Sequence, residues 1–288
     1  MGKRSAGWLM LMLVLLAAGP GLAWGPGGHV VVAKGVAYQN GLTLPNHYLV
    51  LQAAYGAAAP DVAWSAEEPL RSALGAATHD DPGYREPWDL ASPWSGVERS
   101  FAWGWVTHNQ VWGADYYAHI GDPFLGTWPA AGPGYVVERA GMLAATEGIP
   151  ADTAHDYVEV AIDLLLDQQY PGLHVGGTVS DAAYNRSWQV PSLLARSYSD
   201  VPGASRWTIR ALELEFCTAL VVYGEGLSWP TGQDDATFAT AMAVMYGLSV
   251  EKSAACLGAA KALCQEPGAH YVDALKATVA LVAAGPWP

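Results

Sequence analysis

Apolar side chains recur at three- and four-residue spacing over 137–147, 151–168, 191–199, 206–223 and 235–248. That period lines one face of a helix. The segments are rich in Ala and Leu, which adopt helical backbone at little entropic cost. A further helix is expected over 101–120. Pro191 falls in the first turn of its helix, where a missing N–H costs nothing. Asp152 is placed to cap the helix that carries His155. Gly-, Pro- and Trp-rich stretches at 25–28, 80–94 and 123–134 read as loops. Alternating, strand-like patterns are scarce, and no internal repeat or linker interrupts the pattern. The expectation is an all-α chain, folded as a single compact multi-helix domain over 24–288 with a simpler, Ala-rich C-terminal portion.

The first 23 residues follow a different logic. Lys3 and Arg4 precede an apolar run over 8–18, and Gly21, Leu22 and Ala23 supply small residues around a cleavage point. This is the pattern of a signal peptide, so cleavage near Ala23 and export to a periplasm or the extracellular space are expected. The run is short for a membrane span, and no later stretch is long and apolar enough, so the mature chain should lack a transmembrane segment. Processing would make Trp24 the N-terminal residue.

Composition narrows the function classes. With 51% apolar and 14% charged residues, the 288-residue chain is no disordered polyelectrolyte. Asp and Glu number 27 against 14 Lys and Arg, a net charge of −13, which disfavours a nucleic-acid partner because phosphate contacts call for cations. Thirteen Trp and fourteen Tyr against four Phe favour rings with polar tips. In an exported chain Cys217, Cys256 and Cys264 could form one disulfide and leave one odd thiol.

The histidines concentrate the chemistry. His155 and Glu159 stand four apart, which places imidazole and carboxylate on one helix face where they can share an ion. Asp115 and His119 repeat that step, and His108 falls on the same stripe, among Trp103, Trp105, Val111, Trp112 and Tyr116. Buried polar groups in such company need partners, and a metal ion is an efficient one. A free amine on Trp24 could chelate an ion, and the glycines of 25–28 would let His29 fold back onto it. Asp61, after Pro60, and His79, before Asp80, complete the set. Asp163 falls on the Glu159 face, either as a support for the ligands or facing solvent. His47, His174 and His270 lack matched partners and read as surface or packing histidines. Trp64, Trp88, Trp94, Trp103 and Trp105 read mostly as core, with some free to line a pocket for a quaternary ammonium.

The order Trp24, His29, Asp61, His79, His108, Asp115, His119, His155-x-x-x-Glu159 resembles the secreted zinc-dependent phospholipase C family. It is also similar to the fungal and plant three-zinc single-strand nucleases, which share that fold and ligand order. The stretch from Gly56 to Asp61 and the final Glu159 lean toward the phospholipase side. The resemblance covers about 24–165. It implies up to three Zn2+ ions: one on Asp61, His79, His108 and Asp115; one on His119, His155 and Glu159; one on Trp24 and His29, with Asp115 bridging. It also implies phosphodiester hydrolysis of a phospholipid, with the ions neutralising phosphate and activating water and Asp61 as the catalytic base. Two other readings stay open: the nuclease, and a metal-binding homologue without activity.

One spacing departs from the family. His108 and Asp115 are seven residues apart, about 10.5 Å of helix rise. Both can reach one ion only if the helix breaks between them, for which Gly113 is the candidate; otherwise the first and third sites are lost or rearranged.

Overall fold

The helical periodicity becomes fourteen α-helices, and no strand, among the described residues. The structure, a computed structural model, describes residues 24–288 apart from 45, 127 and 231. The expected signal peptide, 1–23, lies outside the described residues. The ligand-bearing half comprises α1 (Gly25–Gln39), α2 (His47–Ala58), α3 (Leu70–His79), α4 (Glu86–Leu90), α5 (Gly96–His108), α6 (Ala114–His119), α7 (Tyr135–Glu147) and α8 (Ala151–Gln169). The C-terminal half comprises α9 (Val175–Tyr184), α10 (Gln189–Tyr198), α11 (Arg206–Leu227), α12 (Gln233–Tyr246), α13 (Val250–Cys264) and α14 (Tyr271–Ala283).

The central element is α8. Every residue from Thr153 to Leu166 is buried, because α1, α7 and α13 all pack against it. A helix enclosed in this way can carry polar groups only if something satisfies them. The closest helix crossing joins α2 and α5. A Cβ on Gly56 would meet the Phe101 carbonyl oxygen at 2.1 Å, and one on Gly104 the Ala53 oxygen at 1.9 Å. Two glycines therefore let the backbones touch, which carries the C-terminal ends of both helices toward the same point. Helix α14 packs on α1, so the last described helix covers the first described one.

Several expectations are corrected. Residues 25–28 are not a loop but the first turn of α1. The single helix expected over 101–120 is two helices, α5 and α6. Asp152 does not cap α8: it is exposed within the first turn, and Pro150 holds the cap position. The stretch 80–94 contains a short 3-10 turn, Gly83–Arg85, and α4. Trp94 is 94% exposed rather than core, whereas Trp105 is fully buried. All three cysteines are free and buried. His47 and His174 are exposed, and His270 caps α14 by accepting from the Val272 amide.

Candidate metal centre

The break between α5 and α6 resolves the seven-residue spacing. Helix α5 ends at His108, and Asn109 takes an extended ψ of 156°. The Asn109 side-chain oxygen then accepts from the amides of Val111, Trp112 and Gly113 at 2.9, 2.8 and 3.2 Å. Its backbone oxygen accepts from Gly113 and Tyr116. A Cβ on Gly113 would lie 2.7 Å from the Asn109 nitrogen and oxygen, so glycine is needed for this fold-back. The chain turns within five residues, and Asp115 returns to within 3.9 Å of His108. Asn109 was missed as an organiser; the available cue was an Asn among turn-forming residues ahead of a glycine.

All the expected positions are brought together. Asp61 sits on the 3-10 turn Ala59–Ser65 that continues α2. Its Oδ1 lies 3.4 Å from His79 Nε2 and 3.5 Å from His108 Nε2, and it accepts from the Trp64 indole. The two histidine Nε2 atoms face each other at 3.2 Å. His108 Nδ1 bonds the Ala57 carbonyl at 2.8 Å, which makes Nδ1 the protonated nitrogen and turns Nε2, a lone-pair donor, inward. His29, one turn into α1, stacks on His108 with ring centroids 3.8 Å apart. The Trp24 backbone nitrogen lies 3.3 Å from His29 Nε2. The Trp24 indole is anchored by donating to the Ala114 carbonyl and stacking on Tyr135. On the other side His119 and His155 present Nε2 atoms 2.8 Å apart, and His155 Nδ1 lies 3.5 Å from Glu159.

Three groups emerge, each with ligand atoms within 4.8 Å of one another: His29, Asp61 and His108; His79, His108 and Asp115; His119, His155 and Glu159. The first two share His108. Asp115 Oδ1 reaches His119 Nδ1 at 3.2 Å, so the three form one continuous cluster. His29 thus groups with Asp61 and His108, whereas the resemblance set it apart with Trp24.

The cluster fits metal ions. Asp61, Asp115 and Glu159 are at most 1% exposed, yet no Lys or Arg pairs with them among the described residues. His29 Nδ1, Asp61 Oδ2, both oxygens of Asp115, His155 Nδ1 and Glu159 Oε1 are buried without a hydrogen bond. Uncompensated carboxylates in a dry interior are costly, and imidazole nitrogens aimed at each other cannot all be satisfied by protons. Divalent cations satisfy both conditions.

Titration follows the same tension. Burial, reinforced by His108, holds His29 well below the usual imidazole range. Burial works against ionised Asp61, but His108 and His79 outweigh it and keep the carboxyl below its ordinary value. Asp115 is likewise held low against burial, chiefly by His119. Burial opposes charge on His108, and the carboxylates of Asp61 and Asp115 overcome it, raising the group. Glu159, with burial and Asp156 against it, rises well above the carboxylate range.

Two supporting carboxylates lie on α8. Asp156 sits 3.5 Å from His155 Nδ1 and accepts from the Tyr246 hydroxyl. Asp163 is fully buried rather than solvent-facing. In comparisons with known proteins, no family model, no curated protein and no solved structure matches this chain.

Proposed function

We propose that the chain is an exported, zinc-dependent phosphodiester hydrolase of the phospholipase C type, acting on glycerophospholipids. One observation carries the reading: eight side chains spread from His29 to Glu159 meet in a buried cluster of lone-pair donors that no Lys or Arg pairs with among the described residues. When bound, the ions would neutralise the phosphate and lower the cost of forming a nucleophile from water.

The chain's own residues supply the rest. Asp61 binds through Oδ1, while Oδ2 is free of any hydrogen bond and is the atom to orient the attacking water and take its proton. Access is from the His119 side, since His119 and His155 side chains are 15% and 11% exposed while Asp61, His108 and Asp115 are sealed. Beyond His119 the chain exposes Ile120, Phe124, Leu125 and Trp128. No Lys or Arg occurs between Arg99 and Arg139. An exposed apolar stretch after His119 that carries no Lys or Arg suits a phosphodiester with lipid tails better than a polyanion. Cleavage after Ala23 would turn the Trp24 nitrogen into a primary amine beside His29.

The test is elemental analysis of the exported protein followed by assays on a phosphorylcholine ester and on single-stranded DNA. About three zinc ions per chain, and ester hydrolysis abolished by chelator and restored by zinc, are expected. A folded protein that takes up no zinc overturns the reading, and hydrolysis of DNA alone replaces it with the nuclease.

A further inference from the structure

The glycine-rich start of α1 meets a single buried carboxylate. Asp163 Oδ2 accepts from the Gly27 amide at 2.8 Å, Oδ1 accepts from the Gly28 amide at 2.7 Å, and the Tyr223 hydroxyl donates to Oδ2 at 3.0 Å. The first amides of a helix have no partner within it. Here a side chain from α8, 135 residues away in sequence, supplies the acceptor, and the partial positive charge of the helix end offsets part of the cost of burying the carboxylate. The approach leaves no room for side chains. A Cβ on Gly25 or Gly27 would lie 2.7 Å from an Asp163 oxygen. Gly25 also takes a φ of +65°, and a Cβ on Gly27 would meet Val175 as well, so glycine is required at both positions by backbone and contact together.

We infer that Asp163, held by Tyr223, is a positioning residue that fixes the Trp24 nitrogen and His29 at the metal cluster. Asp163 touches no ligand atom itself. It sets where α1 begins, and the two groups that α1 delivers lie within four residues of the amides it binds. The same contact gives the C-terminal half a part in the centre: Tyr223 stands on α11, which contributes no ligand. The inference rests on the hydrolase reading for the identity of the ions, and not for the latch.

The experiment uses protein expressed from the full 288-residue reading frame and compares wild type, Asp163→Asn, Asp163→Ala and Tyr223→Phe. Hydrogen exchange at Gly27 and Gly28 reports the latch without any metal. Metal content and the visible spectrum of the cobalt-substituted protein report the ligands. In Asp163→Ala both amides should exchange about 10-fold faster or more, with amides of α5 unchanged. The bound metal should fall by about one ion per chain, with the cobalt bands altered accordingly. Asp163→Asn keeps the volume and one acceptor, so it should fall between alanine and wild type; it carries the test if alanine does not fold. Tyr223→Phe should give the smallest shift in the same direction. Unchanged exchange overturns the latch. Faster exchange with wild-type metal content and an unaltered cobalt spectrum overturns the positioning role and leaves a structural contact. A wild type that binds no metal overturns the hydrolase reading instead, and exchange alone then decides the latch.

Discussion

Glu159 and Glu213 are both buried glutamates on long helices, one in each half of the chain, and they are kept in opposite ways. Glu213 accepts from the Tyr55 hydroxyl and takes the Arg186 guanidinium on both oxygens. Its charge is balanced within the protein. Glu159 faces His155 and a crowd of other acids, and its Oε1 has no hydrogen bond. The first arrangement is complete as it stands and joins α2 to α11. The second is incomplete without an external cation. Burial alone does not distinguish a structural carboxylate from a ligand; what surrounds the carboxylate does.

The comparison can be broken from either side, and the largest effect is expected at the incomplete one. Glu159→Gln should lower phosphodiesterase activity at least ~100-fold and weaken metal retention while leaving the metal-free protein as stable or more so, because an unpaired buried acid is removed. Thermal melts with and without chelator, alongside activity, check this. Arg186→Ala should do the reverse: about 3 kcal/mol of stability lost because Glu213 is left buried and unpaired, with metal content per folded chain unchanged. Urea titration and elemental analysis separate the two. Asn109→Ala should act on both quantities. The Val111 and Trp112 amides lose their acceptor while Gly113 keeps the Asn109 backbone oxygen, which should cost about 2 kcal/mol, and Asp115 loses the turn that returns it to the cluster.

Titration does not separate the two glutamates by direction, since burial raises Glu213 as well as Glu159. Glu159 and His108 are both raised, and burial pushes Asp163 up to about 7. The stability linked to each is complete below its unfolded pKa and is lost as pH rises through the folded one. His29 is lowered, so its contribution is lost on the acid side, below about 6.5. Asp61 and Asp115 are also lowered, so theirs is lost only in stronger acid. Above about pH 6.5, where His29 no longer opposes the trend, the metal-free protein should therefore lose melting temperature. The metal-loaded protein should not, because zinc competes better for ligands as protons leave. A gap between the two that narrows with rising pH contradicts the assignment of Glu159. The smallest expected effect is at Asp152→Ala, within about 0.5 kcal/mol, since this exposed side chain makes no capping bond.

Most of the helices were legible because apolar periodicity and Ala-rich composition act locally. The observed bounds of α7, α8 and α11 lie close to the periodic stretches 137–147, 151–168 and 206–223. What escaped was decided by single long-range contacts. Glycine disfavours helix at 25–28, yet the chain is helical there because Asp163 accepts two of its amides. The pattern over 101–120 is continuous in hydrophobicity, yet Asn109 ends the helix by taking amides a continued helix would have used otherwise. The ligand residues themselves were visible as an ordered series of His, Asp and Glu. Their supports, Asp156 with Tyr246 and Asp163 with Tyr223, were not, since each pair joins α8 to a helix at least 60 residues further on. Trp94 misled because residue type was taken for burial.

The bond between Gly28 and Asp163 also bears on the order of events at the ribosome. The first described helix cannot complete its N-terminal turn until α8 exists, and the Tyr223 contact needs another 60 residues. At typical elongation rates α1 waits about 10 s for its acceptor. During that interval its apolar side chains have only part of their native cover, from α2 and α5, and the late closure of so long a loop is a slow step in folding. A chain built in this way keeps the start of its ligand-bearing half incomplete until more than half of it has been made.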